Sequence, residues 1–170
     1  MPEELFDIIN ENNQPLSFTK PRKEVHKTLQ YWHRAVHIWI INSNKKILVH
    51  LRSLSVDANP GKWQSFFGGH LQAGQDYQNS AIQEIKEELG LNITSDQLIS
   101  LHIRKSERVK HFSQVYILSW DGDISDLQFD KNEIESAIWL SVNELQDKID
   151  QGEFCNTLDE KVIEYINGLN

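Results

Sequence analysis

Short apolar runs separated by polar, turn-forming residues dominate the chain and predict mostly β-strands. The runs from Leu5 to Ile9 and from Leu16 to Thr19 flank a polar segment and predict a short hairpin. The runs from Ala35 to Ile41 and from Lys46 to His50 predict a second hairpin around Asn42-Ser43-Asn44. No element is predicted for the polar, basic segment that follows Pro21. Further strands are predicted over Trp63 to Phe67, Leu98 to Ile103, Val115 to Trp120 and Ile134 to Leu140.

Three segments have helical features instead. From Tyr77 to Leu89 the apolar residues fall on one stripe, and Gly90 provides a stop at the C-terminal end. Ser141 and Glu144 have the spacing of a capping box, and a last amphipathic helix is predicted over about residues 156–167. Because strands surround the first helix and the other helices come late, we expect an α+β fold or an α/β/α sandwich.

Composition narrows the functions that the chain can have. Its 170 residues contain no repeat or linker-like tract, so we expect a single domain over residues 1–170. Cys155 is the only cysteine and the first residues do not resemble a secretion signal, which indicates a reducing, cytoplasmic location. The net charge of −8 argues against a nucleic-acid polymer as partner, and no apolar run is long enough to cross a membrane.

Three glutamates on the first predicted helix are candidates for chemistry. Glu84, Glu87 and Glu88 stand at positions i, i+3 and i+4, so they share one face. Like charges at this spacing destabilise an isolated helix by roughly 0.2–0.5 kcal/mol per pair, and a hard divalent cation removes that penalty. A solvated acidic face is the alternative interpretation of the same residues.

The residues around these glutamates resemble a known motif, the Nudix box. In that motif a glycine and an early glutamate precede the pattern R-E-U-x-E-E-x-G-U at fixed spacing, where U is aliphatic. Gln75 replaces the early glutamate and Gln83 replaces the arginine, and these two amides can still hydrogen-bond each other. The matching residues are Gly69, Glu84, Ile85, Glu87, Glu88, Gly90 and Leu91.

The resemblance implies a fold and an activity. The fold is a Nudix-type α/β/α sandwich, a mixed β-sheet with flanking helices, one of which carries the box. It consists here of an N-terminal hairpin extension, residues 1–30, and a core, residues 31–170. The implied activity is a metal-dependent hydrolase that cleaves a diphosphate linkage in a nucleoside diphosphate joined to another group, or in a related small diphosphate. The resemblance also allows a homodimer.

The same resemblance assigns roles by position. Glu84, Glu87 and Glu88 are the implied ligands of Mg²⁺ or Mn²⁺, the first two are also implied catalytic residues, and Gly69 lets the backbone approach the substrate. The general base stays open between a glutamate of the box and a later loop residue. Glu133 is the first loop candidate, because it precedes a predicted strand at a place where such a residue often lies, and Glu135 is the second.

Two arginines are candidates for substrate binding. Arg52 follows directly after a predicted strand and is placed to contact a phosphate, for which the guanidinium is suited. Arg34 is a weaker candidate of the same kind. A structural salt bridge is the alternative role for either residue. Substrate specificity in such folds depends on variable loops, here those of residues 52–62 and 104–113.

A second resemblance, over roughly residues 3–92, is to Nudix proteins related to isopentenyl-diphosphate isomerase. In that enzyme two histidines seven residues apart and a third after the glycines bind a metal, and His26, His33 and His70 have this spacing. The isomerase also needs a cysteine before the Gly-His segment and two later glutamates, which this sequence lacks. A hydrolase is therefore the main hypothesis. A catalytically weak or inactive binding module, favoured by Gln75 and Gln83, and an isomerase are the alternatives.

Overall fold

A mixed β-sheet forms the centre of the computed structural model, which describes residues 3–169. The strands within that range are β1 (Leu5–Ile9), β2 (Pro15–Pro21), β3 (His33–Ile41), β4 (Ile47–Arg52), β5 (Trp63–Gln64), β6 (Leu98–Ser106), β7 (His111–Ser119) and β8 (Ile134–Leu140). The helices are α1 (Arg22–Thr28), α2 (Tyr77–Leu89), α3 (Val142–Asp150) and α4 (Glu160–Asn167). The main sheet has the order β5-β4-β3-β7-β6, and β8 pairs with β4.

The longest strand pairing is the parallel one between β3 and β7. It runs from His33 opposite His111 to Ile41 opposite Ser119. The predicted hairpin between β3 and β4 exists, but the two strands pair only where Ile41 meets Ile47. Beyond that point β4 pairs with β8 instead. The parallel register places the N-terminal ends of β3 and β7 side by side.

Helices cover both faces of the main sheet, as predicted. Helix α2 packs its apolar stripe against the face that carries Val36, Ile38 and Ile40 of β3. Helices α3 and α4 pack against the opposite face, where Trp39 and Ile41 lie, because successive residues of a strand point to opposite sides. The α/β/α sandwich is therefore confirmed.

Several element boundaries differ from the prediction. Strand β6 extends to Ser106 and not only to Ile103, and β7 begins at His111 and not at Val115, because the two strands pair as far as Ser106 opposite His111. The run from Trp63 to Phe67 does not form one strand, because Phe67 leaves β5 and exchanges two backbone hydrogen bonds with Ile38. The last helix begins at Glu160 and not near residue 156. Its start is fixed by Asp159, whose carboxylate accepts hydrogen bonds from two backbone N–H groups of the first turn.

Helix α1 was missed by the prediction. Its residues are mostly polar and Val25 is its only buried side chain, so the sequence offers no apolar stripe to detect. The helix nevertheless brings His26 against the ring of Phe6 on β1, with 5.6 Å between ring centroids. A part of the chain that looks featureless in sequence thus contributes a side chain to the site described below.

The hairpin of β1 and β2 forms a separate two-stranded sheet that is tied to the core. The backbone N–H of Ala73 donates to the carbonyl of Leu5, and that of Gly74 donates to the carboxylate of Asp7 at 2.7 Å. The N-terminal residues therefore hold the loop that precedes α2. Among residues 3–169, none of the helices has the length and apolar character needed to cross a membrane.

Candidate active site

Helix α2 is fixed at both ends, which sets the positions of its glutamates. The carboxylate of Asp76 caps the first turn by accepting a hydrogen bond from the N–H of Asn79 at 2.8 Å. Gly90 ends the helix with a left-handed backbone, φ 70°. The three glutamates lie in the last two turns, and they are not equivalent: Glu88 is buried, Glu84 is half-buried and Glu87 is exposed.

The two glycines before the helix lie directly against these carboxylates. The N–H of Gly68 donates to Oε2 of Glu88 at 2.9 Å. A Cβ atom on Gly69 would lie only 2.7 Å from Oε1 of Glu84, so a glycine at this position leaves the space that the carboxylate occupies. The loop is held in place by β3, because the N–H of Val36 donates to the carbonyl of Gly69 at 2.9 Å.

The carboxylates repel one another without a compensating cation. Burial, then the neighbouring charges of Glu87 and Glu133, raise the pKa of Glu84 to about 7. Burial and the charge of Glu84 raise the pKa of Glu88 well above its usual value. Within residues 3–169, no lysine or arginine forms a salt bridge with Glu84, Glu87 or Glu88. Buried oxygen donors without a counter-charge fit a hard divalent cation such as Mg²⁺ or Mn²⁺.

The two glutamines that depart from the Nudix box hydrogen-bond each other, as expected. Nε2 of Gln75 donates to Oε1 of Gln83 at 2.7 Å. Nε2 of Gln83 in turn donates to Oε1 of Glu87, also at 2.7 Å. The connection between the loop and the helix is thus made with neutral amides.

Glu133 comes close to the box glutamates, whereas Glu135 shows no such link. The charge of Glu133 raises the pKa of both Glu84 and Glu88, and its own side chain is exposed. Its backbone carbonyl accepts a hydrogen bond from the N–H of Ser53, which attaches the loop to the end of β4. The backbone carbonyl of Glu135 accepts a hydrogen bond from Lys131. The role of either residue as a general base stays a prediction.

Arg52 and Arg34 have different surroundings. The guanidinium of Arg52 donates to Oε1 of Gln64 at 2.6 Å, and its charge lowers the pKa of Glu88, so it lies near the carboxylates. The guanidinium of Arg34 donates twice to Asn13 in the β1–β2 turn and lies over the ring of Tyr77. These contacts give Arg34 a role in attaching the N-terminal hairpin, and a contact with substrate stays a prediction.

Sequence reasoning missed a third arginine near the site. Arg22 begins α1, and its charge lowers the pKa of Glu84 and also those of His26 and His70. Its guanidinium donates to Glu4 at 2.8 Å. The only sequence signal was the basic character of the segment, because the helix that positions Arg22 was not predicted.

The three histidines singled out from their spacing come together. One ligand atom from each of His26, His33 and His70 lies within 4.8 Å of the other two. Phe6 stacks on the rings of His33 and His70, with 5.3 Å between centroids in each case. Nε2 of His33 is buried without a hydrogen-bond partner. This arrangement fits a transition-metal cation, for which imidazole is a suitable ligand.

Burial keeps this histidine cluster uncharged. It lowers the pKa of His33 to about 4, and His111 contributes in the same direction. Burial also lowers the pKa of His70 well below its usual value. Neutral imidazoles have a free lone pair for a metal. Since His70 directly follows Gly69, which contacts Glu84, the imidazole cluster and the carboxylate cluster both adjoin the glycine loop.

Comparisons with known proteins agree with the motif and the fold. The family model described as "NUDIX domain" matches residues 31–157. The chain is 34% identical over 128 residues to Nudix hydrolase 3 of Arabidopsis thaliana, which covers 70% of this chain and only 16% of that protein. It is also 34% identical over 94 residues to isopentenyl-diphosphate Delta-isomerase of Salmonella heidelberg. That alignment covers 55% of this chain and 51% of that enzyme.

A solved structure extends the agreement to the whole chain. The crystal structure of a Deinococcus radiodurans protein superposes with a TM-score of 0.77 and covers 98% of this chain and 99% of that one. The sequence identity of 24% is low enough that this likeness speaks for the fold alone. The family match covers most of the chain and includes the glycine loop, the three glutamates and Glu133. The chain belongs to the Nudix family.

Proposed function

We propose that this protein cleaves a diphosphate linkage in a small molecule, a nucleoside diphosphate joined to another group or a related diphosphate, with Mg²⁺ or Mn²⁺ held by Glu84, Glu87 and Glu88. The observation that carries the proposal is the pair of inward-facing carboxylates, Glu84 and Glu88, without a cationic partner. Their buried negative charge is destabilising unless a cation binds.

A cation held by these residues would neutralise phosphate oxygens and activate water. The residues of the chain provide the remaining functions. Gly69 leaves room for the carboxylate of Glu84 and for the approach of substrate to the loop backbone. Arg52 holds phosphate oxygens through its guanidinium, which offers donors in a planar fork. An adjacent carboxylate, Glu133 or Glu87, accepts the proton of the attacking water.

A substrate panel with matched variants tests the proposal. Wild-type protein is assayed for phosphate release from nucleoside diphosphate conjugates with Mg²⁺ or Mn²⁺, beside a Glu87→Gln/Glu88→Gln double variant. Glu160→Gln, an exposed carboxylate on α4 at the opposite face of the sheet, is the control. We expect metal-dependent turnover in the wild type and control and its loss in the double variant. Equal Mn²⁺ binding by all three proteins, with no turnover, would contradict the proposal.

The identity of the base is decided by a second pair of variants. Glu133→Gln removes the carboxylate that interacts with Glu84, whereas Glu135→Gln removes an exposed carboxylate two residues away. If Glu133 is the base, Glu133→Gln lowers kcat by about 10²–10⁴-fold and leaves Mn²⁺ affinity nearly unchanged, while Glu135→Gln behaves as wild type. If kcat is unchanged in Glu133→Gln, the general base is a glutamate of the Nudix box.

The histidine cluster supports a second cation position. Its three neutral imidazoles favour a transition-metal ion over Mg²⁺. Co²⁺ titration monitored by visible absorption tests this, with a His26→Ala/His33→Ala variant and a His102→Gln control outside the cluster. We expect the absorption bands to be lost in the double variant only. Identical spectra in all three proteins would refute the second position.

A non-catalytic binding module is the alternative, because Gln75 and Gln83 replace charged residues of the box. The hydrogen bonds of the two glutamines favour the hydrolase, since they preserve a connection between the loop and the helix. Thermal shift with the same panel separates the two functions: a ligand that raises Tm without being hydrolysed in the presence of Mn²⁺ supports the module.

A further inference from the structure

We propose that Gln83 is a positioning residue for Glu87, held in its working orientation by Gln75. The inference rests on the proposed function, because it assigns Gln83 a part in building the cation site. It concerns a position at which this chain departs from the Nudix box and has an amide in place of the arginine.

The chain of hydrogen bonds has a fixed direction. It begins at the backbone N–H of Gln72, which donates to Oε1 of Gln75 at 2.9 Å. An N–H group can only donate, so the amide of Gln75 must turn its oxygen toward the backbone and its NH₂ group toward Gln83. Gln83 must then accept with its oxygen and present its own NH₂ group to Glu87. The backbone of the loop thereby determines which group faces the glutamate.

This arrangement differs from an ordinary surface pair on a helix. Gln83 and Glu87 are four residues apart, a spacing at which side chains on an isolated helix attract one another by only a few tenths of a kcal/mol. Here both polar groups of the Gln83 amide are hydrogen-bonded. Its oxygen accepts from Gln75, which lies in the loop before the helix, and its NH₂ group donates to Glu87. The side chain is therefore restrained by a contact that the helix alone does not provide.

The charges around Glu87 explain why such a restraint matters. Glu87 is exposed, so packing does not fix its carboxylate, and its charge lies close enough to Glu84 to raise the pKa of Glu84. Repulsion would turn an unrestrained Glu87 carboxylate away from the cluster. The NH₂ group of Gln83 holds one oxygen of Glu87 and leaves the other for a cation.

Mn²⁺ binding to two matched variants tests the inference. Gln83→Met keeps the length of the side chain and removes both hydrogen bonds, and Gln78→Met makes the same change at another exposed position of α2. Isothermal titration gives the Kd for Mn²⁺, and a thermal scan without metal reports on folding. We expect the Kd to rise about five-fold in Gln83→Met and to stay unchanged in Gln78→Met, with nearly equal Tm values. With substrate, kcat should recover at saturating Mn²⁺.

A double variant with the charged pair of the Nudix box tests whether the hydrogen bond to Glu87 accounts for the loss of affinity. The Gln75→Glu/Gln83→Arg double variant restores a donor to Glu87 and an acceptor for that donor, and should bring the Kd back to within about two-fold of wild type. If Gln83→Met binds Mn²⁺ like wild type while Glu87→Gln binds weakly, the inference fails and the proposed function stands. An equal loss of affinity in Gln78→Met also overturns the inference. If Glu87→Gln and Glu88→Gln both retain full affinity, the proposed cation site itself fails.

Discussion

Replacing Gly69 by alanine tests the close contact between the glycine loop and the carboxylate helix. The added Cβ atom would lie 2.7 Å from Oε1, 3.0 Å from Cδ and 3.1 Å from Oε2 of Glu84. Gly69 does not have a positive φ, so alanine fits the backbone conformation. The clash involves the end of a flexible side chain, which can move. The substitution therefore disturbs the position of Glu84 more than it disturbs the fold.

The size of the effect follows from these distances. Oε1 must retreat from 2.7 Å to about 3.4 Å, a movement of about 0.7 Å, to reach ordinary van der Waals contact. A misplacement of about 1 Å in a catalytic arrangement costs up to about 10²-fold in rate. We therefore expect Gly69→Ala to lower kcat/KM by roughly 10- to 100-fold and to weaken Mn²⁺ binding measurably, while Tm changes by only a few degrees.

Gly74→Ala and Gly68→Ala are the informative controls. Gly74 has φ +82° but no atom within 4 Å of its added Cβ, so alanine costs about 1 kcal/mol of backbone strain and leaves Mn²⁺ affinity unchanged. Gly68 has φ +126°, and its added Cβ would lie 2.2 Å from the carbonyl oxygen of Val36, so alanine should prevent stable folding. Full activity and full Mn²⁺ affinity in folded Gly69→Ala would refute the reasoning about this contact.

Three further predictions concern α2. The pKa of Glu84 is raised from an ordinary value of 4.5 to about 7 in the folded protein. Without metal, the free energy of unfolding should therefore decrease as the pH rises from about 4.5 to 7. Mn²⁺ should raise Tm more at pH 8 than at pH 6, because the carboxylate is charged at the higher pH. An equal Tm increase at both pH values would contradict this. Glu88→Gln should keep the hydrogen bond from Gly68 and should not lower the metal-free Tm at pH 8, because it removes a buried charge. It should weaken Mn²⁺ binding about ten-fold or more by calorimetry, and unchanged affinity would remove Glu88 from the site. Asp76→Ala should lose the cap to Asn79, about 1 kcal/mol, and lower Tm by roughly 2–4 °C in a thermal scan; an unchanged Tm would show that the cap contributes nothing.

The sequence correctly predicted the features that depend on residues close together along the chain. The limits of α2 were predicted at both ends, because its apolar stripe is regular and Gly90 follows it directly. The spacing of the three glutamates predicted that they share one helix face, and the resemblance to the box paired Gln75 with Gln83, whose amides allow the hydrogen bond that joins them. These features depend on residues within 16 positions of one another.

What the sequence missed depends on contacts between distant segments. The parallel pairing of β3 with β7 joins His33 to His111, and no local pattern specifies that register. Helix α1 is stabilised by packing of Val25 and not by an apolar stripe, so Arg22 was overlooked. The unequal burial of the three glutamates was also unpredictable, because the glycine loop that covers Glu88 folds back from another segment.

The attachment of the N-terminal hairpin has a practical consequence for trimming the protein. The match to the family model begins at residue 31, so a version cut to that boundary would lose Arg22, His26 and the whole first hairpin. It would also lose the hydrogen bonds from Ala73 and Gly74 that hold the loop before α2. Such a shortened chain would retain every glutamate of the box and still lack part of the wall around them. The structural unit around the box is thus larger than the region that the family model matches, residues 31–157.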